Sequence, residues 1–175
     1  MLKKSLTYLY IIVLLLVVYL LQVFVIDTKT LFGVKPNLIL ITTIVVSLWF
    51  GMYTGTIYSF IIGFVTDLVF GNAYGLFTIS YTVVGLIVGL MHENYRRDNK
   101  LSLVYVTLLA TAIFEVIEYI QYVISFQVYA NIFYLIKQIF ISSVLNIIIV
   151  YIVYGAIYKI VDYFESNLKR NNTVF

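Results

Sequence analysis

Long apolar segments separated by short polar loops constrain this chain more than any other feature of its sequence. Six such segments follow one another along the 175 residues. The chain is 63% hydrophobic and 11% charged, whereas a soluble domain carries about 25% charged residues. A helix of about 20 predominantly apolar residues crosses the hydrocarbon core of a bilayer. The sequence therefore predicts an all-α integral membrane protein.

The six segments predict six transmembrane helices packed as one compact polytopic domain over residues 1–175. The expected spans are residues 5–26, 37–53, 54–70, 74–91, 101–124 and 133–160. The second and third spans are individually short, so the turn between them near Gly51 must be tight. A five-span arrangement that merges or drops one of them is the alternative. Pro36 is expected in the first turn of the second span, where its missing N–H costs nothing.

The distribution of basic residues orients these spans. Lysine and arginine gather on the cytoplasmic side of short membrane loops. With six spans and both termini in the cytoplasm, eight basic residues lie inside and three, Lys29, Lys35 and Lys137, lie outside. The inverted orientation reverses that ratio. We therefore expect a multi-pass protein of a cytoplasmic membrane, with both termini on the cytoplasmic side.

Small residues recur at every fourth position through the third span and its flanks. These positions are Gly51, Gly55, Ser59, Gly63, Gly71 and Gly75, and the fourth span adds Gly85 and Gly89. Helices in a bilayer associate through close backbone approach, which small residues permit. Residues four apart advance about 400° and so stay near one face of a helix. This stripe predicts a helix-packing seam within the chain, with a homodimer or partner interface as the alternative.

Three acidic residues, Asp67, Glu115 and Glu118, interrupt the apolar segments. A charge at the bilayer centre costs about 2.5–3.5 kcal/mol on insertion scales, so such residues rarely face lipid. Glu115 and Glu118 are three residues apart and share a helix face, which Gln121 extends by one turn. In the expected topology these residues and Lys137 lie at similar depth in the outer half of the membrane. The sequence thus predicts a polar cluster shared by three helices.

Three interpretations of this polar cluster are open. It is a structural network that holds helices together, a site for a partner's helix or juxtamembrane segment, or a pathway for a small ligand or protons. Asp67 has a further alternative of its own, because an acid near an interface can cap the turn at residues 71–75, GNAYG.

Sequence motifs for catalysis, metal binding and nucleic-acid binding are absent. The chain has no cysteine, no H-E-x-x-H, no G-x-S-x-G and no P-loop, and its single histidine, His92, lies beside Glu93 at a helix end. Two glutamates without histidine or cysteine make a poor metal site. No basic patch is large enough for a nucleic acid. We therefore expect no catalytic residue, no metal and no cofactor.

Residues 35–91 resemble the MreD family of rod shape-determining proteins. The family pattern begins with proline followed by asparagine or aspartate ahead of the second span, and continues through spaced glycines to a glycine–phenylalanine step, an acid and a glycine turn. The matching residues are Pro36, Asn37, Gly51, Gly55, Gly63, Phe64, Asp67, Gly71 and Gly75. Ser59 stands where the family often has another glycine. The C-terminal half resembles the family only in composition.

This resemblance implies a non-catalytic scaffold subunit of the bacterial cell-elongation (rod) complex in the cytoplasmic membrane, which supports cell shape and lateral peptidoglycan synthesis. MreD-like proteins work beside MreC, MreB, RodA and a penicillin-binding transpeptidase, and MreC is the expected main partner. The family resembles in fold the S components of energy-coupling-factor vitamin transporters, which implies a compact bundle of that kind. A substrate-binding S component is therefore the alternative function. The first span, however, lacks the alanine-rich docking motif usual in S components.

Overall fold

A computed structural model describes residues 17, 19–20, 22, 33–70, 75–95, 100–127 and 131–172. Side chains at 94, 100, 126, 153–154 and 156–172 lie outside the description. The described secondary structure is helical: α1 is Leu38–Phe70, α2 is Leu76–Leu90, α3 is Lys100–Phe126 and α4 is Ile132–Asn172, with a short 3₁₀ turn at His92–Asn94. No strand occurs in these ranges. The predicted all-α class is confirmed.

Helix α1 is folded back on itself at Gly51. The dihedral angles of Gly51, φ 81° and ψ −176°, are not helical and interrupt the run. In a straight helix, residues 47 and 55 would lie about 12 Å apart along the axis. Here a Cβ added to Gly55 would lie 2.7 Å from Ser47 Cα, and Tyr58 donates a hydrogen bond of 3.0 Å to Thr42 Oγ1. The 33 residues of α1 therefore form two antiparallel arms, 38–50 and 52–70.

The first arm of α1 lies at the centre of the helical bundle. Every residue from 38 to 49 is buried, including the polar Thr42, Thr43 and Ser47. A helix that is apolar all round requires burial on every side. At 1.5 Å per residue the arm is about 20 Å long, shorter than the hydrocarbon core of about 30 Å. Neighbouring helices, rather than lipid, therefore surround this arm.

The glycine stripe packs the second arm of α1 tightly against α2. A Cβ added at Gly63 would lie 2.7 Å from Thr78 Cα, and one at Gly89 would lie 2.5 Å from Met52 Cα. A Cβ at Gly85 would overlap the Ser59 hydroxyl. These contacts fill the seam within one chain, so the stripe at 55, 59, 63, 85 and 89 brings two backbones of the same molecule together.

The remaining glycines of the predicted stripe are placed differently. Gly51 and Gly75 have positive φ angles of 81° and 93° and stand at breaks between helical stretches, where glycine is tolerated because it lacks a Cβ. A Cβ at Gly75 would meet nothing within 4 Å, so this residue makes no tight helix contact. Gly71 lies outside the described residues.

The described helices correspond in position to several of the expected spans, as follows. The spans expected at 37–53 and 54–70 are the two arms of α1, which separate at Gly51 rather than after residue 53. The span expected at 74–91 is α2, that at 101–124 is α3, and the helix expected at 133–160 continues to Asn172. Of the span expected at 5–26, only residues 17, 19, 20 and 22 are described.

Length and composition identify three described helical stretches that are able to cross a membrane. They are Leu38–Phe70, Leu101–Ser125 and Ile132–Ile152, while the apolar helix Leu76–Leu90 is shorter. Because α1 is folded at Gly51, its 33 residues are not one straight span. The chain is thus an integral membrane protein by its apolar helices, and the number of spans remains a prediction.

Candidate functional site

A cavity of about 680 Å³ opens at the end of the bundle where α1 begins and ends. Residues 33–37, the start of α2, the second half of α3 and the start of α4 enclose it. Its polar side chains are Gln22, Lys35, Asn37, Thr66, Glu115, Glu118, Gln121 and Gln138, and its aromatic rings include Phe77, Tyr81, Phe114, Tyr119, Tyr122 and Tyr134. The volume lies within the usual range for small-molecule pockets, about 300–1,000 Å³.

Glu115 is bound to helix α4 from the floor of this cavity. The residue is buried, and its Oε1 accepts a hydrogen bond of 2.5 Å from the hydroxyl of Ser142. Gln138, one turn earlier on α4, also hydrogen-bonds to this carboxyl group. Two donors thus stabilise a carboxyl group that would otherwise be buried at high cost.

Glu118 lies one turn further along α3 and also lines the cavity. The side chain is half-buried, and no hydrogen bond or ion pair reaches it from the part of the chain that the structure describes. Gln121 comes one turn later, and its Oε1 lies 3.2 Å from the hydroxyl of Ser80 on α2. The structure therefore brings Glu115, Glu118 and Gln121 together at one cavity.

Asp67 lies outside the lining of this cavity and caps helix α2. The residue is buried, and its two carboxylate oxygens accept backbone N–H groups of Phe77 at 3.0 Å and Thr78 at 2.9 Å. The hydroxyl of Thr78 donates to the same carboxylate. The N-cap residue Gly75 has no side chain to provide such a cap. Asp67 thus caps the start of the helix that follows residues 71–75, and it is buried rather than in contact with water.

Lys137 also lies apart from the two glutamates. Its side chain is exposed, and within the described ranges it forms no ion pair with an acid. Five positions separate Lys137 from Ser142, which corresponds to about 140° around the helix axis. The face of α4 that reaches Glu115 therefore does not carry Lys137, and the predicted sharing of charge between this lysine and the acids is not seen.

A polar stripe on α4 that the sequence analysis missed completes the site. Gln138, Ser142 and Asn146 are spaced four residues apart along α4. The Nδ2 of Asn146 donates a hydrogen bond of 3.3 Å to Thr111 Oγ1, and Thr111 lies one turn before Glu115 on α3. The Oδ1 of Asn146 accepts the backbone N–H of Asn37 at 3.2 Å. The spacing of polar residues inside the apolar run of α4 was the available signal.

Asn37 joins this stripe to the start of the central arm. Its Oδ1 accepts the backbone N–H of Leu40 at 2.8 Å, which makes Asn37 the N-cap of α1, and also accepts the hydroxyl of Tyr81 at 3.0 Å. Pro36 precedes this cap and so lies just before the helix rather than in its first turn. The backbone N–H of Leu38, the first residue of α1, donates a hydrogen bond of 2.7 Å to Gln22 Oε1.

His92 closes the opposite end of the bundle. Its Nδ1 lies 2.7 Å from the carbonyl oxygen of Leu48, and since a carbonyl only accepts, Nδ1 donates this bond. In a continuous helix Leu48 would pair with the N–H of Met52, but the break at Gly51 disturbs that ladder. The Nδ1–H of His92 therefore replaces the helical hydrogen bond that the carbonyl oxygen of Leu48 would otherwise accept. No cluster of three or more His, Cys, Asp or Glu residues that could hold a metal occurs within the described ranges.

Comparison with known protein families identifies a match over most of the chain. The family model described as rod shape-determining protein MreD matches residues 2–163. No curated protein and no solved structure matches the chain significantly, so the alternative of a vitamin-transporter S component gains no support. The match covers most of the chain and agrees with its all-helical, apolar architecture. This chain belongs to the MreD family of rod shape-determining membrane proteins.

Proposed function

We propose that this chain is a non-catalytic scaffold subunit of the bacterial cell-elongation complex, which supports rod shape and lateral peptidoglycan synthesis by binding partner proteins. The family match over residues 2–163 carries the proposal, because MreD is a shape-determining family associated with the rod complex and is not known as an enzyme. MreC is the proposed main partner, with MreB, RodA and a penicillin-binding transpeptidase as further members of the assembly. A second copy of this chain is the alternative partner.

The proposed topology has six spans in a single domain, with both termini in the cytoplasm. The alternating direction of the described helices supports it. Gly51 lies beside His92 at one end of the bundle, whereas Asn37, Phe70 and Tyr134 surround the cavity at the other end. With the basic loop at residues 96–100 placed inside, the cavity opens on the outer side.

The cavity end is the proposed contact site for a partner. Glu115 and Glu118 lie at this end, and the exposed rings of Tyr122 and Tyr134 flank the opening. Intramembrane acids usually face a protein interior or an aqueous cavity rather than lipid. A partner segment that covers the opening would exclude lipid and water from these carboxyl groups.

Depletion of the chain in its own bacterium, followed by re-expression, tests the function. We expect depleted cells to lose rod shape and widen, and cells that re-express the chain to recover their width. Affinity purification of the tagged chain from membranes should recover MreC. A depleted strain that keeps its rod shape, together with a purified chain free of MreC, would contradict the proposal.

A further inference from the structure

One carboxylate in the cavity, that of Glu118, has neither a hydrogen-bond donor nor a cation beside it among the described residues. Glu118 lies deep in the bundle, yet its side chain keeps part of its exposure because it faces the cavity. The neighbouring Glu115 is bonded to Ser142 at 2.5 Å, but no donor among the described residues reaches Glu118. A desolvated carboxylate without a partner is costly unless a cation or donor compensates it.

The lysines of the described chain do not provide that compensation. Lys35 lies on the rim of the cavity with an exposed side chain, and Lys137 is exposed on α4. Within the described ranges neither forms an ion pair with Glu115 or Glu118. A cation for Glu118 would therefore come from outside this part of the molecule.

The rest of the cavity wall favours an organic cation over a metal ion. The rings of Phe77 and Tyr81 stack with centroids 6.2 Å apart, and Tyr81 meets Phe114 at 4.9 Å, so that one wall is aromatic. Aromatic faces attract ammonium and guanidinium groups. The hydroxyl oxygen of Tyr119, another lining residue, is buried without a hydrogen-bond partner among the described residues. A guanidinium or ammonium group would thus meet a carboxylate and aromatic faces together.

The surroundings of the opening favour a protein segment as the source of this cation. Two large aromatic side chains that line the cavity, Tyr122 and Tyr134, are 50% and 58% exposed. A free small cation needs only the cavity, whereas an apolar segment with one basic residue would also cover this rim. Binding hot spots in protein interfaces are enriched in aromatic and arginine side chains that fill desolvated pockets.

We propose that the cavity beside Glu118 receives a lysine or arginine side chain from a membrane-flanking segment of a partner protein. This inference rests on the proposed function, since it names the chemistry by which the subunit binds its partner. Glu118 holds the cation, and the aromatic wall packs against the apolar stem of the basic side chain. Glu115 remains bound to Ser142 and positions the floor of the cavity.

The first experiment uses the purified full-length chain in lipid nanodiscs and n-butylguanidinium as the probe. Its neutral isostere n-butylurea is the matched control ligand. We expect thermal unfolding to shift upward with n-butylguanidinium only, and Glu118→Gln to weaken the apparent affinity about tenfold or more, because the variant loses a hydrogen bond between opposite charges. Glu93→Gln, the same chemical change at an exposed site outside the cavity lining, should bind like wild type. Equal responses to the two ligands would overturn the cation site, whether or not the chain restores rod shape.

The second experiment identifies the source of the cation in cells. A photoreactive benzoylphenylalanine replaces Tyr134 at the opening or, as a control, the exposed Tyr53 near the opposite end. We expect a protein crosslink from position 134, with a basic residue in the crosslinked segment identified by mass spectrometry. Glu118→Gln, or a glutamine in place of that basic residue, should remove it, and Glu93→Gln should not. If n-butylguanidinium binds but position 134 captures no protein, the proposal that a partner protein provides the cation is overturned. A free small cation is then the ligand of the cavity.

Discussion

The carboxylate of Asp67 accepts both the backbone N–H and the side-chain hydroxyl of Thr78, eleven residues further along the chain. A helix start leaves its first N–H groups without partners inside the helix. At α2 the N-cap is Gly75, which has no side chain, so Asp67 from the preceding helix provides the missing acceptor. An acid within an apolar helical stripe is thereby explained by the end of the neighbouring helix.

Removal of this acceptor should destabilise α2. Asp67→Ala leaves the N–H groups of Phe77 and Thr78, both partly buried, without their acceptor, and the loss of a helix cap typically costs about 0.5–2 kcal/mol. We expect a lower unfolding temperature for the protein extracted from membranes. Asp67→Asn keeps one carbonyl acceptor and should fall between wild type and the alanine variant. An alanine variant as stable as wild type would show that the cap contributes nothing.

The glycine seam gives a second stability prediction. In Gly63→Leu the new side chain meets the backbone of Thr78, where even a Cβ would approach Cα to 2.7 Å. Overpacking of this kind costs about 1–3 kcal/mol. Gly155→Leu is the matched control, because a Cβ there meets nothing within 4 Å. Thermal unfolding of both variants should show a loss for Gly63→Leu alone, and equal stability would mean that the seam is loose.

The fold of α1 depends on the unusual backbone of Gly51. A φ of 81° with a ψ of −176° lies in a region that is essentially restricted to glycine, and other residues pay about 1–3 kcal/mol there. Gly51→Ala should therefore lower the unfolding temperature although a Cβ would keep ordinary distances of 3.5 Å or more to His92. Thr54→Ala, at an exposed position of the second arm, is the control. The prediction fails if Gly51→Ala and Thr54→Ala have the same unfolding temperature.

The sequence predicted those parts of the site that depend on local helix geometry. Glu115, Glu118 and Gln121 follow one another at helical spacing, so a single well-formed helix suffices to align them. The partner of Asp67 was not predictable in the same way, because it depends on where the start of α2 lies beside the end of α1. Lys137 was wrongly grouped with the acids, since depth in the membrane was considered without the rotation of α4 about its axis.

The same distinction applies to the fold. Apolar length predicted the all-α class, and the glycine spacing indicated a close contact between neighbouring helices. The position of the break in α1 was placed near the correct residue, but the complete burial of the arm at 38–49 was not expected. Burial on every side depends on the packing of the other helices around this arm. A uniformly apolar sequence carries no directional pattern that reveals it.

The proposed topology predicts opposite accessibility for two exposed positions. The chain has no cysteine, so a single introduced one is a unique label site. Phe133→Cys, at the cavity end, should react with a membrane-impermeant maleimide applied outside intact cells from which any outer membrane has been removed. Tyr53→Cys should react only after the membrane is permeabilised. The side chains of Phe133 and Tyr53 are 81% and 79% exposed, so a difference in labelling would not come from a difference in burial. The reverse pattern would invert the topology and move the cavity to the cytoplasmic side.

The central claim is that the charges at the cavity end support rod shape through partner binding, and its most direct test is the double variant Glu115→Gln, Glu118→Gln. Glutamine keeps the size and hydrogen-bonding capacity of the two side chains but removes their charge. In cells that contain only this variant, at normal protein level, we expect reduced recovery of MreC and rounded cells, while Glu93→Gln cells remain rods. Normal rod shape with full recovery of MreC in the double variant would contradict the claim and leave the cluster as a structural network.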